Sequence, residues 1–100
     1  MSQRFQVQLT ETALEHLAAY RPFEVNVILE AIKTQLPHQA LQETRNRKPL
    51  RENPLADWEL RVQEYRVFYE VDAEQNVVRI LAIGHKEHNR LFVGGEEIEL

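Results

Sequence analysis

The sequence predicts an α+β fold in which one N-terminal strand and two antiparallel helices precede an antiparallel sheet meander. Three observations carry that expectation. Phe5, Val7 and Leu9 alternate with polar residues, the period-2 pattern of a half-buried strand. Two runs of helical spacing follow, Ala13, Leu14, Leu17, Ala18 and then Val25, Ile28, Leu29, Ile32, Leu36. From Trp58 onward, apolar and β-branched residues fill three runs separated by short polar turns.

Each element has a local reason. Thr10 offers a helix N-cap, and Thr12 with Glu15 has capping-box spacing for a helix that starts slightly later. Arg21-Pro22 breaks the first helix and starts the second, since proline is tolerated in a first turn, and Pro37 is expected to end it. Two amphipathic helices need a sheet to cover their apolar sides. Residues 37–57 hold three prolines and read mostly as loop, with a short edge strand near Arg47 to Leu50. The three β runs are Trp58 to Val62, Tyr65 to Asp72 and Val77 to Ile83; the glycine-punctuated tail from Val93 reads as loosely held.

Composition bounds the possibilities. One hundred residues fit a single domain spanning 1–100, able to bury roughly two-thirds of its unfolded surface. Hydrophobic residues at 43% and charged residues at 28% give ordinary globular composition and argue against disorder. No apolar run approaches the ~20 residues that span a bilayer, and Met1-Ser2-Gln3-Arg4 lacks a leader's apolar core. The expected location is cytoplasmic, with no membrane partner. Without cysteine, disulfides, thiolate chemistry and Cys-ligated zinc are excluded. The net charge of −4 opposes nonspecific nucleic-acid binding. Arg45, Arg47, Lys48 and Arg51 nevertheless cluster, with Arg61 and Arg66 following. They read either as a local basic patch or as a solvated loop.

Strand register sharpens this. If Gln63-Glu64 is a two-residue hairpin loop, Arg61 faces Arg66 and Trp58 faces Tyr69; the next turn sets Glu70 against Arg79, an opposite-charge pair. One face then carries Trp58, Leu60, Val62, Tyr65, Val67 and Tyr69, continued by Val78, Ile80 and Ala82, and belongs under the helices. The other collects Glu59, Arg61, Arg66, Phe68, Leu81, Ile83 and His85. Two facing arginines repel unless an anion lies between them or Glu59 or Glu64 neutralises them. Phe68, Leu81 and Ile83 form an apolar strip that marks a partner surface unless the tail covers it. Beyond the strand, Gly84-His85-Lys86-Glu87-His88-Asn89-Arg90 gathers groups that can polarise and protonate a phosphate. Zinc is the rival reading for His85 and His88, which lack a third ligand at motif spacing. His16 and His38 read as surface residues.

The run Trp58 to Val71, Trp-Glu-Leu-Arg-Val-Gln-Glu-Tyr-Arg-Val-Phe-Tyr-Glu-Val, followed by Ile80-Leu81-Ala82-Ile83-Gly84-His85-Lys86, resembles the RelE/ParE toxin superfamily. The element order matches as well. The resemblance implies the toxin of a type II toxin–antitoxin module, with a cognate antitoxin as partner; the first expectation is a ribosome-dependent mRNA endoribonuclease that inhibits translation, and the alternatives are a non-catalytic gyrase inhibitor and a degenerate toxin. Members similar to RelE cleave mRNA in the ribosomal A site without a cofactor, by attack of a ribose 2′-hydroxyl; members similar to ParE inhibit DNA gyrase without nuclease residues. A degenerate toxin would only bind its antitoxin.

On the nuclease reading His88, His85, Arg66 and Lys86 are the catalytic candidates, and Arg61, Phe92, Arg51 and Lys48 bind substrate; the resemblance carries Arg66, Lys86, His88 and Phe92, leaves His85 open to a structural role alone, and the charge cluster and strand register supply Arg61, Arg51 and Lys48. Arg66 matches an arginine that steadies phosphate in RelE. Lys86 stands where RelE has another functional arginine, and so loses the bidentate fork. Phe92 stands in place of a catalytic-site tyrosine and cannot transfer a proton; Glu59 replaces a lysine. His88 to Phe92 also resembles the end of the YafQ branch, where a histidine and a phenylalanine at this spacing belong to the nuclease site. The antitoxin is expected on Phe68, Leu81 and Ile83.

Overall fold

The computed structural model describes residues 4–100; the Met1-Ser2-Gln3 start read above for a leader lies outside them. The elements run β1 (Gln6–Leu9), α1 (Glu11–Ala18), α2 (Pro22–Gln39), β2 (Arg47–Pro49), β3 (Trp58–Val62), β4 (Tyr65–Asp72), β5 (Val77–Glu87), β6 (Arg90–Val93) and β7 (Glu96–Ile98). Strands β2 to β7 follow one another as an antiparallel meander, and β1 joins by pairing in parallel with β5. Among the described residues, no helix is long and apolar enough to cross a membrane.

Thr10 is itself the cap of α1: its Oγ1 accepts from the Ala13 N–H at 3.1 Å, so the Thr12–Glu15 box is not used. Only Ala13 and Leu17 of the α1 stripe are buried; Leu14 and Ala18 face outward because eight residues present a narrow contact line to the sheet. At α2, Glu24 Oε1 accepts from the Arg21 N–H at 3.0 Å. This helix continues past Pro37 to Gln39, and the Pro37 carbonyl accepts from Phe5 N–H at 2.7 Å. Ile28, Ile32 and Leu36 are its buried row.

The β3–β4 register is the expected one, with Arg61 opposite Arg66 and Trp58 opposite Tyr69. The β4–β5 register holds from Asp72 back to Tyr69, opposite Ile80, and then slips: Phe68 faces Ala82, leaving Leu81 as a bulge residue. One extra residue exchanges the faces of everything beyond it. Ile83 and His85 therefore turn to the helix side, opposite Val67 and Tyr65, while Ala82 and Lys86 take the other side. The expectation that Ala82 lies under the helices and that Ile83 and His85 lie away from them is corrected by this single insertion.

The open edge of β5 is shared. β1 pairs with Val77 to Ile80 and β6 with Gly84 to Glu87, so residues 81–83 lack a strand there. The cap and the last turn of α1 fill the gap. Thr10 N–H and Oγ1–H both donate to the Ile80 carbonyl, at 3.1 and 2.9 Å, and His16 Nδ1 accepts from the Ile83 N–H at 3.2 Å. His16 is thus a half-buried structural residue and not a surface one. β6 passes so close to Gly84 that a Cβ there would meet the Phe92 carbonyl oxygen at 2.5 Å, which only glycine permits.

Two apolar clusters result. The larger joins both helices to Leu60, Val67, Tyr69, Val78, Ile80 and Ile83. The smaller, on the opposite face, packs Phe68, Ala82, Leu91 and Val93 beneath Leu50, Leu55, Leu81 and Ile98. The tail is not loose, since it forms β6 and β7 and folds over this face. Asn53 holds the other flap, its Oδ1 accepting from Leu55 and Ala56 N–H groups at 2.7 and 3.1 Å. Phe68 and Ile83 are fully buried in different clusters and Leu81 is half-buried, so the exposed partner strip does not exist. Enclosing a phenylalanine is worth about 1.5–3 kcal/mol, which favours the folded-over tail.

Candidate functional site

On the face away from the helices, β2, β3, the β3–β4 turn and the end of β5 border a groove of about 450 Å³. Arg45, Lys48, Arg61, Arg66 and Lys86 contribute five cations against the carboxylates of Glu59 and Glu64. A protein of net charge −4 thus concentrates positive charge at one place. The hairpin turn organises it. Gln63 adopts a φ of 56°, and Arg66 Nη1–H donates to the Gln63 and Tyr65 carbonyls at 2.8 Å each. Lys86 N–H donates to the Glu64 carbonyl at 2.8 Å, tying β5 to the same turn.

Arg66 is 7% exposed, whereas its cross-strand neighbour Arg61 is open to solvent. Burial holds the Arg66 guanidinium below its ordinary pKa; Glu59 opposes that effect and Arg61 adds to it. Glu59 is itself buried, with Lys48 Nζ 3.8 Å from its carboxylate. Of the two readings of the facing arginines, partial neutralisation by Glu59 is present, and a surplus of positive charge remains.

The predicted site is brought together in part. Arg61, Arg66, Lys48 and Lys86 share the groove. Arg51 borders an adjoining groove of about 800 Å³ that runs to the tail, beside Arg90 and Glu97. Arg47 leaves the cluster: it is buried, its guanidinium donating to the Gln42 carbonyl at 3.1 Å and to the Gln35 side chain.

His85, Phe92 and His88 lie elsewhere. The bulge places His85 on the helix side, where Nδ1 meets the Tyr20 hydroxyl and Nε2 meets Glu87 Oε2, both at 2.8 Å. Phe92 stacks on that imidazole, ring centroids 5.7 Å apart, instead of joining Arg66. His88 and Asn89 have φ of 50° and 68° and form the two-residue turn between Glu87 and Arg90, with the His88 side chain exposed. A turn with both central residues at positive φ suits Asn and tolerates His. Asn89 reaches the groove; His88 does not line it.

Sequence reasoning missed the contacts around His85. The Tyr65 hydroxyl donates to Glu24 Oε2 at 2.6 Å, and the Tyr20 ring meets Tyr65 edge-on at 5.8 Å. Burial, with Glu24 and Glu87 adding to it, pushes the Tyr20 phenol up to about 12. Burial and the Glu24 hydrogen bond raise Tyr65 as well. The Tyr65 hydrogen bond, helped by the Arg21 N–H, holds Glu24 below the ordinary carboxylate value. These phenols keep their protons near neutrality, and the Tyr65–Glu24 hydrogen bond docks α2 to the sheet. The available signal was Glu24, three residues after the Arg21 that opens α2. Among the described residues, no three His, Cys, Asp or Glu side chains are grouped to hold a metal ion.

Residues 7–90 match the family described as ParE toxin of type II toxin-antitoxin system, parDE. The fold is similar to a chain in the crystal structure of the toxin-antitoxin complex RelBE2 from Mycobacterium tuberculosis, with 28% identity, a TM-score of 0.74 and coverage of 84% of this chain and 93% of that one. It is also similar to a chain in the archaeal RelE-RelB complex from Pyrococcus horikoshii OT3, with 18% identity, a TM-score of 0.67 and coverage of 86% and 99%; that likeness concerns the fold alone. No curated protein matches the chain.

Proposed function

This chain belongs to the ParE toxin family of type II toxin–antitoxin systems, and we propose that it arrests growth by binding its target through the basic groove, in the manner of a ParE-type gyrase inhibitor, and is held in check by an antitoxin. One observation carries the non-catalytic reading. The groove collects five cations, yet neither His85 nor His88 lines it, and Phe92 is engaged with His85. Proton transfer to a leaving oxygen by either histidine would need that histidine within hydrogen-bond reach of the groove. Binding needs only the surplus charge and the shape. An antitoxin partner is supported by the family and by the 28%-identical similar fold, which was solved in a toxin–antitoxin complex.

Expression without antitoxin, followed in the same cells by mapping of mRNA ends and scoring of DNA damage, tests this. Growth arrest with damaged DNA and intact mRNA is the expected result, and purified protein should inhibit gyrase supercoiling. Codon-positioned cleavage on translating ribosomes would overturn it.

A second reading, the ribosome-dependent endoribonuclease, has one specific support: the buried Glu59 carboxylate lies among Lys48 and Arg66, where it could accept a proton from a ribose hydroxyl. On that reading Glu59→Gln abolishes cleavage while the protein stays folded.

A further inference from the structure

We infer that Glu59 sets what the basic groove can hold: a short acidic segment of a protein surface is admitted, and the continuous phosphate backbone of a nucleic acid is turned away. This rests on the groove being the target-binding site proposed above, and it adds the chemistry of the surface that is bound. Two grooves meet on this side of the sheet, and the residues common to both are Lys48, Glu59, Lys86 and Asn89. Their charge differs. The smaller holds five cations and two carboxylates, a surplus of three positive charges. In the larger, Lys48, Arg51, Lys86 and Arg90 are matched by Glu52, Glu59, Glu97 and Glu99, so no surplus is left. The positive field therefore stops at the junction and is confined to about 450 Å³.

Glu59 stands at that junction on a backbone that cannot swing aside. It lies within β3, paired with Lys48 of β2 on one side and Phe68 of β4 on the other, and is 8% exposed. Its carboxylate is 3.8 Å from Lys48 Nζ, but that lysine is largely open to solvent, where salt screens its charge, whereas a buried charge is screened far less. A polyanion running from the smaller groove into the larger thus passes a fixed like charge in a poorly screened place. Like charges set against each other at an interface reject the wrong partner. A segment with few carboxylates ends before the junction and meets Arg61 and Arg66. Arg66 is already held by the Gln63 and Tyr65 carbonyls, so it receives a carboxylate with little further ordering. The lining gives a second reason. Among the described residues, no aromatic side chain borders either groove, and Phe92 is stacked on His85. Single-stranded nucleic acids draw much of their sequence-independent affinity from bases stacked on aromatic rings, whereas carboxylates need only the guanidinium and ammonium donors present here.

The test measures binding of the full chain, by fluorescence anisotropy across a salt series, to three labelled probes: a short blocked peptide alternating aspartate and glycine, a single-stranded RNA and a duplex DNA. The wild-type protein should bind the peptide more tightly than either nucleic acid. Glu59→Gln, checked for an unchanged amide spectrum, should raise nucleic-acid affinity at least about tenfold and steepen its fall with salt, while peptide affinity changes by less than about threefold. Glu64→Gln removes the same charge from an exposed position that borders the smaller groove alone, and should change nucleic-acid affinity by less than about threefold. Tighter wild-type binding of RNA or DNA than of the peptide would overturn the proposal whatever the variants do, as would absence of peptide binding. Equal gains from Glu59→Gln and Glu64→Gln would also overturn it, because net charge alone would then explain them, and so would no gain in a folded Glu59→Gln protein. None of these readouts involves growth arrest or supercoiling, so a protein that discriminates in this way yet leaves gyrase active would sink the gyrase reading alone.

Discussion

Arg61 and Arg66 lie directly opposite one another across β3 and β4, one exposed and the other buried against its own turn. Their removal should have different consequences. Arg66→Ala leaves the Gln63 and Tyr65 carbonyls without a charged donor and should cost about 1.5–3 kcal/mol in urea unfolding. Arg61→Ala removes a like-charge neighbour and should leave stability within about 0.5 kcal/mol, while target inhibition by the purified protein falls. Equal destabilisation by both would contradict the different roles assigned here.

His88 tests the non-catalytic reading most directly. It sits at a φ of 50° in an exposed turn, so His88→Gly should preserve or slightly raise stability. Growth arrest on expression should be undiminished. Loss of arrest in a variant with unchanged melting would return His88 to the site.

Thr10 ends β1, caps α1 and satisfies the Ile80 carbonyl. Thr10→Ala should cost about 1–2 kcal/mol, the upper range for a cap because the Ile80 carbonyl also loses one of its two donors. Hydrogen exchange should then speed up in α1 and around Ile83, and less in β3.

The pH dependence has two ends. The pKa of Glu24 is lowered in the folded state, so its contribution is present above the ordinary value of 4.5 and is lost as pH falls through the lower folded value. Glu24→Gln should therefore flatten the acid limb of a stability profile. Tyr20 is raised from 10.0 to about 12, so its contribution is full below 10 and is lost as pH climbs toward 12. Tyr20→Phe should flatten that alkaline limb in thermal melts recorded across the range.

Gly94 has a φ of 60°, and a Cβ there would lie 2.9 Å from His16 Nε2. Gly94→Ala should lower stability by about 1–3 kcal/mol and disturb the His16 ring resonances in NMR spectra, whereas Gly95→Ala, with open space around it, should leave His16 unmoved.

Much of this architecture was legible because the Gln63-Glu64 hairpin fixes register and the Glu70–Arg79 pair confirms it. The bulge at Leu81 was not. Leu81, Ala82 and Ile83 are all apolar, so no alternation marks where the strand changes face, and the error carried His85 and Ile83 to the wrong side. Gly94-Gly95 was visible as punctuation but is also a hairpin turn signal, joining β6 to β7. The charge cluster was legible as composition; which members turn inward, as Arg47 does, depends on the carbonyls and side chains that α2 and its following loop offer.

The pairing of Gln6 with Val77 also orders events in time. The strand translated first has no sheet to join until a loop of about 70 residues has closed, and such distant contacts form late. Helices α1 and α2 can condense while β1 still waits. During that interval the N-terminal strand is still without β5, so a chain that captures it before β5 emerges would block completion of the fold.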